Sequence, residues 1–292
     1  MEIHKPVLLN KVIEYLEPKQ GDKIIDGTFG LGGHSREIGE RIKPSGQVLG
    51  IEATKELYDL AVSGNQMKNT SLVNDNFVNL KKIAQENGFM NADGILLDLG
   101  VSSWHFDESD KGFTFQKDQD LNMRLGDSGV TAKEIINEYS EDDLVRILKE
   151  YGEESFAKRI ASKIIEKRKE NPINTTFELV EVIKEAVPAW YTHRRLHFAT
   201  KTFQALRIEI NSELDNLKKV LSQALEVLKP GGHLVVISFH AGEDRIVKNF
   251  FRDNKKEGVL KILTKKPVVP DREEVKENPR SRSAKLRAIQ FN

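Results

Sequence analysis

The chain has 292 residues, with 45 basic and 45 acidic side chains, a formal net charge of zero and no cysteine. That length accommodates one large or two medium domains with a substantial core, and the absence of cysteine excludes disulfides, iron–sulfur clusters and thiolate zinc sites and fits a reducing compartment. The balanced charge advertises no polyanionic partner, so any nucleic-acid surface has to be local.

Met1-Glu-Ile-His-Lys-Pro-Val-Leu-Leu9 lacks a cationic segment followed by a long apolar run. No later stretch approaches about 18 consecutive apolar residues, so a soluble, cytoplasmic protein with no membrane partner is expected. Through the first hundred residues short apolar runs alternate with helix-like stretches, the pattern of a doubly wound α/β sheet. Strands are expected at Lys23 to Asp26, Gln47 to Glu52, Ser71 to Asn74 and Gly94 to Leu99, and a fifth at His233 to Phe239. From about Phe113 to Ile210 no strand-like run appears. Capping boxes at Thr131 with Glu134 and at Thr175 with Glu178 start helices there, and Leu144, Ile147, Leu148 and Tyr151, then Phe156, Ile160 and Ile164, recur at helical spacing. The expectation is a core of residues 1–112 and 211–292 carrying an inserted helical domain, 113–210. An insertion after the fourth strand follows the sheet end where α/β proteins bind ligands, as a lid or substrate platform. Leu228-Lys-Pro-Gly-Gly232 is expected to close a helix ahead of the fifth strand, and the alternating run ending at Phe291 reads as an edge strand.

Asp26-Gly-Thr-Phe-Gly-Leu-Gly-Gly-His-Ser35 is the most informative stretch. A strand entering a glycine-rich turn and then a helix is a nucleotide-pocket entrance. Gly30 and Gly32 fit the dinucleotide fingerprint, but Ser35 stands where its third glycine belongs, and a carboxylate at Asp26 repels a pyrophosphate. S-adenosyl-L-methionine carries no phosphate and has a cationic methionine ammonium and sulfonium, so the same carboxylate favours it. Glu52, 26 residues after Asp26, stands where an acidic side chain grips ribose hydroxyls, or is a solvated strand-end carboxylate. Asp98, at the lip of the sheet in Asp98-Leu-Gly-Val-Ser-Ser103, is open to three roles: acceptor for the N–H of an exocyclic amine, cofactor ligand, or cap of the next turn with Ser102 and Ser103.

His240, in Ser238-Phe-His-Ala-Gly-Glu-Asp-Arg245, either orients substrate or is a satisfied structural histidine, while Glu243 and Asp244 suit the first turn of a helix. The segment from Trp190 to Arg207 is the densest mixture of aromatic and basic residues, with Arg194, Arg195, Lys201 and Arg207. It reads as a nucleic-acid face, against an amphipathic helix whose Phe203 and Leu206 are core. Trp104, His105, Phe106, Phe113 and Phe115 stand as base-stacking candidates or as core. No metal site is expected: the histidines follow no ligand spacing, and Asp107, Glu108 and Asp110 match a calcium loop only loosely.

Taken together, His4-Lys-Pro-Val-Leu-Leu9, the glycine turn, Asp98 to Ser103, Lys111-Gly-Phe-Thr-Phe115, Tyr151-Gly-Glu-Glu154, Thr202-Phe-Gln-Ala-Leu-Arg-Ile208, Ser238-Phe-His240, Glu243-Asp-Arg245 and Asn278-Pro-Arg-Ser-Arg-Ser-Ala-Lys-Leu-Arg287 closely resemble the bacterial 16S rRNA (cytosine-N4) methyltransferases of the RsmH, or MraW, family. The resemblance runs nearly end to end. It implies a Rossmann-like class I methyltransferase sheet with an inserted helical domain, S-adenosyl-L-methionine as cofactor, and methylation of a cytidine N4 in the decoding centre of the small ribosomal subunit. It carries cofactor binding onto Gly32, Gly33, His34, Glu52, Phe77, Asp98 and His105. Asp26 and the turn would then hold the methionyl end, Glu52 the ribose, and Phe77 and His105 the adenine. Asp98, Asn122 and His240 are the expected catalytic positions. The substrate RNA falls to Arg194, Arg195, Lys201, Arg207, Arg280 and Arg282, and a homodimer is among the admissible assemblies. The chain departs from the family pattern at Glu52-Ala-Thr54, His105, Asn122, Phe198, Lys201 and Ala241-Gly242, where Asp-Arg-Asp, Gln, Asp, Pro, Arg and Ser-Leu are usual. Those departures motivate an alternative: a diverged, weakly active paralogue that binds the small subunit as an assembly factor. A methyltransferase acting on DNA or a small molecule is a third reading.

Overall fold

A computed structural model describes residues 6–64 and 67–292. His4 and Lys5 of the N-terminal motif lie outside the described residues. The chain forms two compact units, one of residues 1–100 and 214–292 and the other of residues 101–213.

The first unit is built on one seven-stranded sheet. In chain order the strands are β1 (Lys23–Asp26), β2 (Gln47–Glu52), β3 (Thr70–Asn74), β4 (Ala92–Asp98), β5 (Leu228–Ser238), β6 (Leu260–Ile262) and β7 (Lys285–Phe291), arranged β3-β2-β1-β4-β5-β7-β6. The first five run parallel and β7 is antiparallel to both its neighbours. The central strands are buried on both faces, which is why they read as continuous apolar runs. Ile24, Val48, Leu96, Val235 and Ile237 pack on one face with Val12 and Ile38; Ile25, Leu49, Ile95, Leu97, Leu234 and Val236 pack on the other with Leu217, Leu221, Val247 and Phe251. Successive residues thus feed opposite cores, as strand geometry requires.

Two details differ from the sequence expectation. β5 starts at Leu228, directly after a helix ending at Val227, and pairs with Ala92 before its register shifts to His233 against Gly94. The helix closes there as expected, but Pro230 has no N–H to donate and Gly231 adopts φ +83°, so the residues between those pairs bulge out of the ladder within the strand. β7 is interior to the sheet, not its edge; the edge on that side is β6, whose three residues pair only with β7.

The second unit is helical. Both expected capping boxes form, Thr131 with Glu134 and Thr175 with Glu178. Leu144, Ile147, Leu148, Ile160, Ile164, Leu179, Ile183, Phe203 and Leu206 share one core. The unit begins at Val101 rather than at 113, for a local reason. Ser109 O accepts from Gln119 Nε2 at 3.0 Å, Lys111 O from Met123 N at 2.6 Å, and Phe113 is core, so residues 101–112 fold with the helices. Among the described residues no helix is long and apolar enough to cross a membrane.

Gly112 ties that join. It has φ +74°, and a Cβ there would collide with the carbonyl oxygen of Asp120. Gly112→Ala is expected to destabilise the helical unit by at least about 2 kcal/mol, from the left-handed backbone and a clash with rigid main chain together. Urea unfolding followed by tryptophan fluorescence checks this, both tryptophans being in that unit.

Candidate active site

The carboxyl ends of β1, β2 and β4 bring three acidic side chains around the glycine turn. Gly27 N donates to Leu96 O and Phe29 N to Ile51 O, each at 2.9 Å, so the turn is stitched to both neighbouring strands. Gly32 has φ +76° and precedes the helix Gly33–Arg41; a Cβ on it would lie 2.7 Å from Phe29 Cζ, so only glycine fits beneath that ring.

Asp26 is 1% exposed and both its oxygens have partners. Oδ2 accepts from Ser35 Oγ at 2.6 Å and Oδ1 from Thr28 N at 3.1 Å. Burial pushes its pKa up against the pull of the Ser35 hydroxyl. In the structure Asp26 is a latch that joins the first and last residues of the turn. Thr28 extends the latch, its Oγ1 accepting from Asp98 N at 2.7 Å. The sequence assigns Thr28 no role and Ser35 only the place of a missing third glycine, although hydroxyls two and nine residues beyond a strand-end aspartate are the available signal.

Glu52 is buried and accepts from Gly30 N at 3.1 Å and from Thr54 N at 2.8 Å. Burial raises its pKa to about 7, opposed by those backbone donors and reinforced by Asp26. Its carbonyl accepts from Asp75 N at 3.1 Å, which holds the turn carrying Phe77 beside it; half-buried Phe77 has its Cβ 3.6 Å from where a side chain on Gly27 would begin.

Asp98 ends β4 with 23% of its side chain exposed. Oδ1 is buried and has no hydrogen-bond partner among the described residues, while Oδ2 lies 3.7 Å from His34 Nδ1. His34 Nε2 is 2.9 Å from the carbonyl of Val7, which can only accept, so Nε2 carries the proton and Nδ1 faces the carboxylate. Burial raises Asp98 to about 6; His34 opposes the shift, and Asp26 and Glu243 add to it. Asp98 does not cap the following turn. Ser102 does, its side chain accepting from Trp104 N.

His240 precedes the helix Ala241–Lys256, and Glu243 Oε2 accepts from Phe239 N at 2.8 Å and His240 N at 3.2 Å. The imidazole Nε2 stands 3.3 Å from Glu243 Oε1. A Cβ at Gly242 would come 3.1 Å from the His240 ring, so the glycine gives that ring room over the first helical turn. Glu243 is therefore a buried anchor, and Asp244 pairs with Arg287 at 2.7 Å, a partnership that the first-turn reading did not anticipate.

The helical unit holds the remaining candidates. His105 is buried, edge-on to Trp104 and Phe113 at 5.4 and 5.1 Å, so its ring belongs to an aromatic core rather than to a displayed ligand site. Asn122 Oδ1 accepts from Arg124 N at 3.2 Å and Nε at 3.0 Å; it caps its own loop. Arg207 pairs with Glu213 at 2.8 and 3.0 Å, a side chain only 15% exposed, which takes it away from the phosphate-binding role expected of it. Lys201 Nζ donates to Glu153 O at 2.5 Å. Arg194 and Arg195 are exposed, as are Arg280 and Arg282 on the short 3-10 helix Pro279–Ser283 of the sheet unit. Phe115 stacks on His197 at 4.4 Å and abuts Phe203 at 5.4 Å, while Phe113 and Phe198 are core.

A sheet in the order 3-2-1-4-5-7-6 with its seventh strand reversed, entered through a glycine turn and rimmed by strand-end carboxylates, defines a class I S-adenosylmethionine-dependent methyltransferase. Comparison with known proteins narrows this. The chain belongs to the MraW methylase family, whose model matches residues 1–292. It is 46% identical to the ribosomal RNA small subunit methyltransferase H of Kosmotoga olearia, over 99% of this chain and 97% of that protein. It is equally identical to the protein of that name from Thermotoga neapolitana, over 99% and 96%. Among solved structures, SMU.1697c of Streptococcus mutans in complex with SAH aligns over 99% of this chain and 100% of its own, at 10% identity and a TM-score of 0.48.

The carboxylate cluster sets a pH dependence of stability. Folding raises Glu52 and Asp98 above their ordinary values, so the folded state holds protons that the unfolded chain releases. Their stabilising contribution is complete at about pH 4 and is lost as pH rises through about 6 and 7. Urea midpoints of the ligand-free protein are expected to fall across that window, and the Glu52→Gln/Asp98→Asn double variant to flatten the fall. An unchanged slope in the double variant would assign the dependence to other groups.

Proposed function

We propose that this protein transfers a methyl group from S-adenosyl-L-methionine to N4 of a cytidine in the decoding centre of 16S rRNA within the small ribosomal subunit, a reaction of the cytoplasm. The observation that carries the reading is Asp98: one carboxylate oxygen, buried and without a partner, at the end of the strand beside the glycine turn. The residues present suit that cofactor. Three desolvated carboxylates surround the turn, an environment that favours a cationic, phosphate-free ligand and repels a pyrophosphate.

When bound, the cofactor supplies an electrophilic methyl on a cationic sulfur. The protein's own residues do the rest. Asp26, latched by Ser35 and Thr28, keeps the turn in the shape that receives the methionyl end, with Gly32, Gly33 and His34 at its close. Glu52 would hold the ribose, and Phe77 the adenine side. Asp98 Oδ1 accepts an N–H of the cytidine amine, aligning a weak nucleophile and taking its proton once the new bond forms; with a pKa of about 6 it is mostly ionised near neutrality and able to do so. His240 borders the same strand ends and orients the base. The cytidine is unpaired or flipped to reach these groups, and its strand is held through exposed Arg194, Arg195, Arg280 and Arg282. The 1–100 and 214–292 unit is thus the cofactor-binding core and 101–213 the substrate-recognition domain. The assembly-factor alternative loses part of its motive at Asn122, whose oxygen is engaged within its own loop.

Incubation with methyl-labelled cofactor and small subunits lacking the modification is expected to label cytidine N4. Asp98→Asn is expected to lower kcat by about 100-fold or more, the scale of a lost proton acceptor. Absence of label on cytidine, with cofactor binding measured separately, overturns the assignment.

A further inference from the structure

Trp190 is 61% exposed, the most exposed large apolar side chain among the described residues. Two aromatic rings abut it. It meets Tyr191 edge-on at 5.7 Å and 86°, and Phe156 at 5.9 Å and 63°, and those two rings meet each other at 4.8 Å. Beneath them, buried Glu154 accepts from Tyr191 Oη with both oxygens, at 3.0 and 2.8 Å, and from Phe156 N at 2.8 Å, so a single carboxylate fixes the two rings that flank the tryptophan. Burial and that carboxylate push the Tyr191 phenol up to about 12, which keeps it a donor. The edge-on neighbours support the indole along its sides and leave much of its surface to solvent.

Cations frame the cluster. The Arg194 guanidinium lies over the Tyr191 ring at 5.1 Å and the Arg159 guanidinium over the Phe156 ring at 5.8 Å, both arginines exposed. Arg195 and Lys158 are exposed alongside them in sequence. No acidic residue occurs between Glu185 and Glu209, although the chain holds as many acidic as basic residues. Glu153 is the exposed acid of the neighbouring loop, and Glu154 is fully engaged beneath the rings.

We propose that the Trp190, Phe156 and Tyr191 cluster is a stacking platform for an unpaired base of the RNA substrate, with Arg159 and Arg194 on its flanking phosphates. This rests on the rRNA reading above and adds Trp190 and Arg159 to it. An indole packed against two neighbouring rings offers a base a π surface, and a stacked base is sequence-tolerant because every base has a π face. The same exposed tryptophan with balanced charges around it would suit a protein partner; the acid-free segment and the guanidiniums on two sides favour a polyanion.

The test uses the full chain and a single-stranded RNA oligonucleotide carrying the target cytidine, with the same sequence as a duplex for comparison. Single-stranded RNA is expected to quench wild-type tryptophan fluorescence, and the quench is expected to disappear in Trp190→Phe, where only Trp104 remains. Trp190→Ala is expected to weaken single-strand binding about ten-fold and Trp190→Phe about threefold or less, with duplex binding and cofactor Kd unchanged in both. With small subunits as substrate, Trp190→Ala should raise KM and leave kcat nearly constant. Wild-type RNA affinity in Trp190→Ala overturns the proposal, as does a change in oligomeric state without a change in RNA binding, which would make the face a protein interface. Quenching is read without turnover, so failure of the platform and failure of the methylation reading are separable.

Discussion

The site depends on three carboxylates held out of water at the ends of neighbouring parallel strands. Asp26 repels both Glu52 and Asp98, and all three are pushed upward in pKa mainly by burial. Each meets that cost differently. Asp26 is satisfied by its own turn and Glu52 by two backbone N–H groups, while Asp98 keeps one oxygen unpartnered. The first two solutions shape the loop. The third leaves a demand for a donor or a cation, and an unsatisfied buried acceptor at a strand end beside the glycine turn calls for a ligand group or a catalytic role. A phosphate would worsen the balance, whereas a positively charged ligand relieves it.

What the sequence made legible is what local chemistry determines. The strands appear as apolar runs because both sheet faces are buried, and both capping boxes formed because their partners stand three residues apart. The glycine turn was readable for the same reason. Roles set by distant partners were not. Asp26 at a strand end looks like a ligand-facing carboxylate until the turn folds Ser35 back onto it across nine residues. Arg207 looks like a phosphate contact until Ser212, at φ +48°, turns the chain and brings Glu213 against its guanidinium. His105, open in the sequence as a stacking residue or as core, is buried edge-on against Phe113, a choice that only the fold makes. β6 is three residues long and exists only because β7 offers it an edge, so no periodicity betrays it.

The same distinction bears on the departures from the family pattern. Glu52 reaches back to Gly30 as well as Thr54, so its arm serves the turn while its carboxylate stays at the strand end. Ala241-Gly242 leaves room for the His240 ring over the helix start and keeps Glu243 as the anchor of two backbone N–H groups. Each of these changes has a local structural partner, so none by itself argues for a collapsed site.

The substrate side follows a related economy of charge. Lys201 and Arg207 are drawn into structural bonds, so the helical segment rich in basic residues displays fewer free cations than its composition suggests. Counterion release scales with the number of phosphates neutralised, and a face with few free cations gains modest affinity from it. The local absence of acidic residues matters as much as the number of arginines, because it removes repulsion without raising the net charge. Under that constraint recognition shifts from the backbone to the bases, through stacking and shape. An exposed aromatic surface would favour unpaired over paired nucleotides, a discrimination that a stronger field would not supply, since phosphate contacts fix register without reading the base.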